Sequence, residues 1–173
     1  MRKLTHEEIV ARQVEKLKSK RLPFCVVVNS IRSLHNVGSI FRTADGAGLE
    51  KIWLCGHTGY PPQGGIAKTA LGAENHIPWE YRENVLEVVR KLKKDGYQIV
   101  LLEQMQGSIS HHTFKPKTPV CLVIGNEVNG IEDELVALCD AAIEIDMAGI
   151  KNSLNVAVAF GVVAYQIRCK IKT

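Results

Sequence analysis

Three stretches hold most of the residues with which this chain could do chemistry, and all three share one grammar. The apolar run FCVVVN at 24–29 leads into SIRSLHNVGSIFRTADGAG at 30–48. LVI at 122–124 leads into GNEVNGI, and IEI at 143–145 leads into DMAGIKNSLN and then a long apolar stretch. Strands that each deliver a polar loop at their carboxyl end are how an open α/β sheet builds a ligand site. The three loops therefore read as parts of one composite site.

In the first stretch, Asn36-Val37-Gly38 precedes Arg42. Asn36 is placed to cap a helix that begins near Val37. Arg42 lies four residues after Gly38, so the two share a helix face. A guanidinium near a helix N-terminus adds positive charge where the dipole already favours anions, which gains nothing unless an anion binds. With Arg32 and His35 in the preceding loop, the pattern points to phosphate recognition, and a solvated surface arginine is the alternative. In the second stretch, Gly125 permits close backbone approach after the strand. Asn126 and Glu127 follow, just before the turn signal Asn129-Gly130. A plain turn with a solvated carboxylate fits equally; neither a Walker loop nor GxGxxG is present. In the third stretch, Met147-Ala148-Gly149 is followed by Ser153-Leu154-Asn155. Ser153 is placed to cap the last helix, and Asn155 would sit in its first turn. An Asn in the otherwise apolar SLNVAVAFGVVAY needs hydrogen-bond partners, and a purely structural tie would supply them.

Other polar clusters point nowhere definite. His111-His112 has no Asp or Cys nearby in sequence and reads as loop surface, not as a metal site. Asp140, Glu144 and Asp146 alternate without a matching cluster. Arg90, Lys91, Lys93 and Lys94 read as the solvated face of a helix. The five cysteines form no CxxC pair and none has a His at metal-ligand spacing. Cys25, Cys55 and Cys121 lie in apolar runs, where a thiol is a small hydrophobe and suggests a reducing compartment.

The elements that must position these loops follow from pattern. A chain of 173 residues supports one core. Strands are expected at 24–29, 50–55, 97–103, 120–124 and 141–145, and helices at 37–47, 82–95, 131–139 and 153–170. The runs VVVN, IVLLE and CLVIG do not alternate, so both strand faces are buried, the mark of a mostly parallel sheet flanked by helices. Thr5-His6-Glu7-Glu8 reads as a capping box. A helix should run from it to about Ser19, with Val10, Val14 and Leu17 on a narrow stripe that needs the domain or a second subunit as cover. Segments 56–76 and 104–119 read as long loops. The first residues resemble no signal peptide and no run is long enough to span a membrane, so a cytoplasmic protein is expected. The net charge of +4 is compatible with a polyanionic partner.

Taken together and in order, these motifs resemble those of the SpoU (TrmH-like) RNA ribose methyltransferases of the SPOUT superfamily. Asn36-x-Gly38-x-x-x-Arg42-x-Ala44-x-x-x-Gly48 is similar to the first motif. Ile124-Gly125-Asn126-Glu127 with Gly130-Ile131 is similar to the second, and Ile145-x-Met147-x-Gly149 with Ser153-Leu154-Asn155-Val156 to the third. Lys68 to Glu74 also has the family look. Asp146 stands where Pro is usual, Val128-Asn129 replaces a Gly-rich form, and Ala157 replaces a frequent Ser. The resemblance runs from about residue 23 to the end, with 1–22 as an N-terminal helical extension and 23–173 as the methyltransferase domain.

The resemblance implies an α/β fold with a C-terminal deep trefoil knot and a homodimer. It implies S-adenosylmethionine as cofactor and methyl transfer to a ribose 2′-hydroxyl; no metal is expected, from the cysteine and histidine spacing. Transfer RNA is the favoured substrate and ribosomal RNA the alternative. Gly125, Asn126, Ile145, Met147, Gly149 and Leu154 would hold the cofactor. Arg42, Asn36, Glu127, Ser153 and Asn155 would form the catalytic set, with Arg42 acting across the dimer. Arg32, His35, Arg42 and Lys68 would meet RNA. Two rivals stand beside it: a doubly wound enzyme of another nucleotide or phosphometabolite, and a non-catalytic RNA-binding protein on the same fold.

Overall fold

The computed structural model describes residues 1–17, 20–126 and 131–172. Among them a seven-stranded parallel sheet is built from β1 (Leu22–Asn29), β2 (Leu49–Cys55), β3 (Trp79–Arg82), β4 (Gln98–Leu102), β5 (Ile109–Ser110), β6 (Val120–Ile124) and β7 (Ala141–Glu144). Its order is β3-β2-β1-β6-β4-β7-β5, and every pair is parallel. Six helices lie among the described residues, α1 (His6–Leu17), α2 (Leu34–Ala47), α3 (Gly64–Ala70), α4 (Val85–Lys94), α5 (Asp133–Val136) and α6 (Val156–Lys172), and α2 to α6 pack on the sheet.

The non-alternating strands are buried on both faces, as their sequence requires. Val26, Val28, Ile52, Leu54, Leu122 and Ile124 pack with Ile40 and Phe41 of α2, Ile66 of α3 and Phe160 of α6. The intervening residues Cys25, Val27, Trp53, Ile99, Leu101, Cys121 and Val123 pack with Val85, Val88, Val89 and Leu92 of α4 and Leu135 of α5. Cys25, Cys55 and Cys121 are buried, as expected of apolar thiols. Burial pushes the Cys55 thiol up to about 12, so it is no nucleophile.

The structure corrects several expectations. Segment 56–76 is not structureless; it holds α3 and a 3₁₀ turn at Ala73–Asn75. The polar run WEYR forms the short strand β3, and the helix expected from 82 starts at Val85, capped by the Asn84 side chain. The helix expected over 131–139 is the single turn α5. The loop expected over 104–119 contributes β5. The capping box is present: the Thr5 N–H donates to Glu8 Oε2 at 2.8 Å, and the Glu8 N–H donates to Thr5 Oγ1 at 3.3 Å. Val10 and Val14 of α1 are 40% and 52% exposed, so neither finds full cover in the described chain. No helix among the described residues is long and apolar enough to cross a membrane.

Candidate active site at the carboxyl ends of the strands

The carboxyl ends of β4, β6 and β7 open into a cavity of about 350 Å³. That volume lies in the usual range for small-molecule sites, roughly 300–1,000 Å³. Gly125 and Asn126 enter it from the end of β6, and Ile145 and Met147 from the end of β7. Ser153 and Leu154 close it from the segment before α6. Five of the six expected cofactor residues therefore share one wall. Gly149 does not: it is exposed and lies outside the lining.

The rim is tied by side chains. Asn126 Nδ2 donates to the Ser30 carbonyl at 3.0 Å, joining the ends of β6 and β1. Gln104 Nε2 donates to the Asn152 carbonyl at 2.6 Å. Ser108 Oγ donates to Glu144 Oε2 at 2.6 Å, and Ser110 Oγ donates to Asp146 Oδ2 at 2.7 Å. Asp146, the departure from the family pattern, thus anchors the end of β5 beside the loop after β7. Glu103, Gln104, Glu144 and Asn152 also line the cavity, and the sequence reading had not placed them there. The signal existed: β4 is another parallel strand whose carboxyl end belongs to the same crevice. Glu103 and Glu144 give the cavity two carboxylates, and among the described residues no Lys or Arg lines it.

Asn36 and Asn155 stand 119 positions apart in sequence and meet beside the cavity, Asn155 lying between the lining residues Leu154 and Val156. Asn155, not Ser153, is the N-cap of α6. Its Oδ1 accepts from the N–H groups of Ala157 at 2.9 Å and Val158 at 3.4 Å, and its carbonyl accepts from the Ala159 N–H. With Oδ1 committed to backbone donors, the Asn155 Nδ2 must point elsewhere, and it donates to Asn36 Oδ1 at 3.1 Å. That bond fixes both amide orientations, which sequence could not. Asn36 is not a cap either. α2 begins three residues earlier than expected, with Ser33 Oγ accepting from the Asn36 N–H at 3.3 Å. Ser153 is freed from capping and remains on the cavity wall.

The earlier start of α2 also corrects the argument about Arg42. Arg42 lies more than two turns into the helix, and the dipole acts only over the first turn. Arg32 and His35 are the groups near that N-terminus, and the first turn carries no acidic side chain. Arg42 is exposed and has no hydrogen bond or ion pair among the described residues. Gly38, one turn before it, has a packing duty. A Cβ there would lie 2.1 Å from Thr69 Oγ1 and 2.3 Å from the Ile66 carbonyl oxygen. Only glycine lets α3 dock on α2, where Thr69 Oγ1 donates to the His35 carbonyl at 2.9 Å and exposed Lys68 stands one residue away. Glu127, the remaining expected catalytic residue, lies outside the described residues.

His111 is not loop surface: it is 6% exposed and stacks on His112 with ring centroids 4.0 Å apart. Asp140 bonds Lys93 and the Ile99 N–H, so the alternating carboxylates each have separate structural partners. Among the described residues, no group of three or more His, Cys, Asp or Glu side chains is arranged to hold a metal ion.

A parallel α/β sheet with a pocket at the carboxyl ends of its strands has the layout of the open α/β class, in which ligands bind at that end. Comparison with known proteins narrows this. The model of the SpoU rRNA Methylase family matches residues 23–165, and the chain belongs to that family. It is 31% identical over 170 residues to a tRNA (guanosine(18)-2′-O)-methyltransferase of Aquifex aeolicus, covering 96% of this chain and 78% of that protein. The solved A. aeolicus TrmH/SpoU tRNA modifying enzyme superposes with a TM-score of 0.82 at 26% identity, over 95% of this chain and 85% of the other. An AdoMet-bound rRNA methyltransferase from Sinorhizobium meliloti gives a TM-score of 0.79 at 32% identity over 84% of this chain. This chain spans only 56% of that structure's length.

Proposed function

We propose that this protein is an S-adenosylmethionine-dependent RNA methyltransferase acting on a ribose 2′-hydroxyl, with transfer RNA as the favoured substrate and ribosomal RNA as the alternative. The observation that carries the reading is the Asn155–Asn36 hydrogen bond. It joins the cavity wall at Ser153-Leu154 to the helix that carries Arg42, so a small-molecule pocket and a polyanion-seeking surface share one edge. The relative matched over 96% of this chain is named for a tRNA ribose methylation, which favours tRNA.

The pocket chemistry fits the cofactor. Two lining carboxylates, with no Lys or Arg lining it among the described residues, favour a ligand with positive sulfonium and ammonium groups. The same charges disfavour nucleoside polyphosphates and dinucleotides, which weakens the phosphometabolite rival. When bound, adenosylmethionine supplies an electrophilic methyl on sulfur. The backbone at Gly125, Ile145 and Leu154 would hold its adenosine part, with Asn126, Met147 and the nearby Gly149 completing the loops. Charge on sulfur disappears during transfer, so the protein's contribution is mainly orientation. The 2′-hydroxyl proton leaves to solvent water as the C–O bond forms and the S–CH3 bond breaks, because the Arg42 guanidinium stays protonated and cannot take it. The role of Arg42 is to hold the phosphate next to the target ribose and to stabilise negative charge developing on the 2′-oxygen. Asn36, Glu127, Ser153 and Asn155 orient the hydroxyl and Arg42. Arg32, His35 and Lys68 contact the RNA backbone.

A homodimer belongs to the same reading. Val158, Val162 and Tyr165 are 53%, 39% and 44% exposed and recur at helical spacing along α6, directly after the site. A second copy covering this stripe would bring its own Arg42 near the pocket. Residues 1–22 are read as an extension and 23–173 as the methyltransferase domain, with its C-terminal segment knotted and the protein cytoplasmic. The test combines purified protein, labelled adenosylmethionine and total RNA from a strain lacking the gene. Label in one RNA class supports the reading. No label and no cofactor binding overturns it, and binding without label favours the non-catalytic RNA-binding alternative.

A further inference from the structure

We infer that Tyr60 is a stacking platform for a nucleobase of the RNA substrate, in the loop after β2, a strand that β1 separates from the pocket strand β6. The inference rests on the RNA-methyltransferase reading and specifies how that RNA is gripped. Tyr60 lies in the loop after β2 and is 41% exposed. Its ring is held by two others, with centroids 4.6 Å from Tyr81 and 6.4 Å from Trp79. Trp79 in turn meets buried Phe41 edge-on at 6.4 Å, so the stack is rooted in the core. An aromatic ring already ordered by its neighbours loses little freedom when a base covers its open part.

The loop beneath Tyr60 is locked. Thr58 is buried, its Oγ1 donating to the Val28 carbonyl at 3.0 Å and accepting from the Ile31 N–H at 3.1 Å. Tyr81 Oη donates to the Gly56 carbonyl at 2.9 Å. Gly59 and Gly65 both sit on Leu34, where a Cβ would lie 2.3 Å and 2.9 Å from its side chain. Leu34 is the first residue of α2, so this loop is seated on the same turn that presents His35 and Asn36. Around that turn, Arg32 and Lys68 are exposed cations with no ion pair among the described residues, and His35 and His57 are exposed. The neighbouring acid Glu80 is already paired with Lys51 and Arg82. Exposed aromatic area beside uncommitted positive charge matches a base with its phosphates, since every base has a π-face and every nucleotide an anion. It does not match an apolar protein partner.

The test compares the full-length protein with Tyr60→Ala and Tyr60→Phe, using bulk tRNA as the probe. The readouts are filter binding to tRNA, KM for methylation, adenosylmethionine affinity and melting temperature. Tyr60→Ala should weaken tRNA binding and raise the tRNA KM by about 5- to 100-fold, the cost of losing one stacked base. Cofactor affinity should stay within about twofold, and Tyr60→Phe should retain near wild-type RNA binding because the π-face remains. Arg32→Ala should weaken tRNA binding independently and flatten its salt dependence by about one phosphate contact. Unchanged tRNA binding in Tyr60→Ala overturns the inference, as does equal loss of cofactor and RNA affinity, which marks a folding role. A wild-type protein that methylates RNA while Tyr60→Ala matches it sinks this inference alone. A wild-type protein that binds RNA without methylating it sinks the activity, and the binding comparison still decides Tyr60. If the wild-type protein binds no RNA, both fall.

Discussion

Replacing Asn155 with Ala removes two things at once, and their sizes can be worked out separately. The side chain caps α6 through two backbone N–H groups, and loss of such a cap costs about 1 kcal/mol. It also donates to Asn36, a bond at an exposed position worth about 0.5–1 kcal/mol net. Asn155→Ala should therefore destabilise by about 1.5–2 kcal/mol, which for a domain of this size lowers Tm by roughly 3–8 °C. Asn36→Ala should cost at least the second part, about 0.5–1 kcal/mol. Asn155→Ser keeps a capping oxygen but is too short to reach Asn36, so it should lose only that part. Urea unfolding of the two single mutants and the double mutant closes the cycle. The account predicts a coupling of about 0.5–1 kcal/mol. Additive losses, with coupling inside the error of about 0.3 kcal/mol, would show that the two amides do not bond and that the site is not joined as described. Methyl transfer measured on the same proteins should fall in Asn155→Ser even though its cap survives.

Gly38→Ala should be costly, because its Cβ would press on a carbonyl as well as on Thr69; a loss of about 1–3 kcal/mol is expected in urea unfolding. Arg42→Ala should leave Tm within about 1–2 °C, since an exposed side chain with no partner among the described residues contributes within ±0.5 kcal/mol. It should retain cofactor binding and abolish methyl transfer; joint loss of both would remove Arg42 from the transfer step. Burial, aided by the neighbouring His112 charge, holds His111 below the usual histidine value, against the opposing pull of the Glu144 carbonyl and Asp146. The unfolded chain then takes up a proton near pH 6.5 that the folded protein resists. Stability from this group is full above that pH and lost as pH falls toward the lowered folded value. His111→Gln should flatten the decline in Tm between pH 7 and pH 5.5, and an unchanged slope would assign it to other groups.

The sheet was legible because burial on both faces leaves a direct mark: FCVVVN, IVLL and CLVI are continuous apolar runs, and each is a parallel strand. The site loops were legible for the related reason that parallel strands deliver their polar residues at one end. Helix starts were not. Ser33 and Asn36 both cap well, as do Ser153 and Asn155, and only the chain's path decides which of each pair does so. α3 was hidden by Gly64-Gly65, which weaken local helix propensity. Its existence depends on docking against Gly38, a contact between distant segments. β3 was hidden because WEYR is a short edge strand with polar residues. The Asn36–Asn155 bond could not be read at all, since no local pattern records a partner 119 residues away.

The central claim is that the pocket and the polyanion-seeking edge act together on a ribose hydroxyl. The most direct measurement is mass spectrometry of nucleosides from total RNA of a strain lacking the gene, after incubation with the purified protein and adenosylmethionine. The account predicts a new 2′-O-methyl nucleoside, concentrated in one RNA class and absent when Arg42→Ala is used. A methyl group found on a base instead of a ribose, or 2′-O-methylation undiminished in Arg42→Ala, would contradict it.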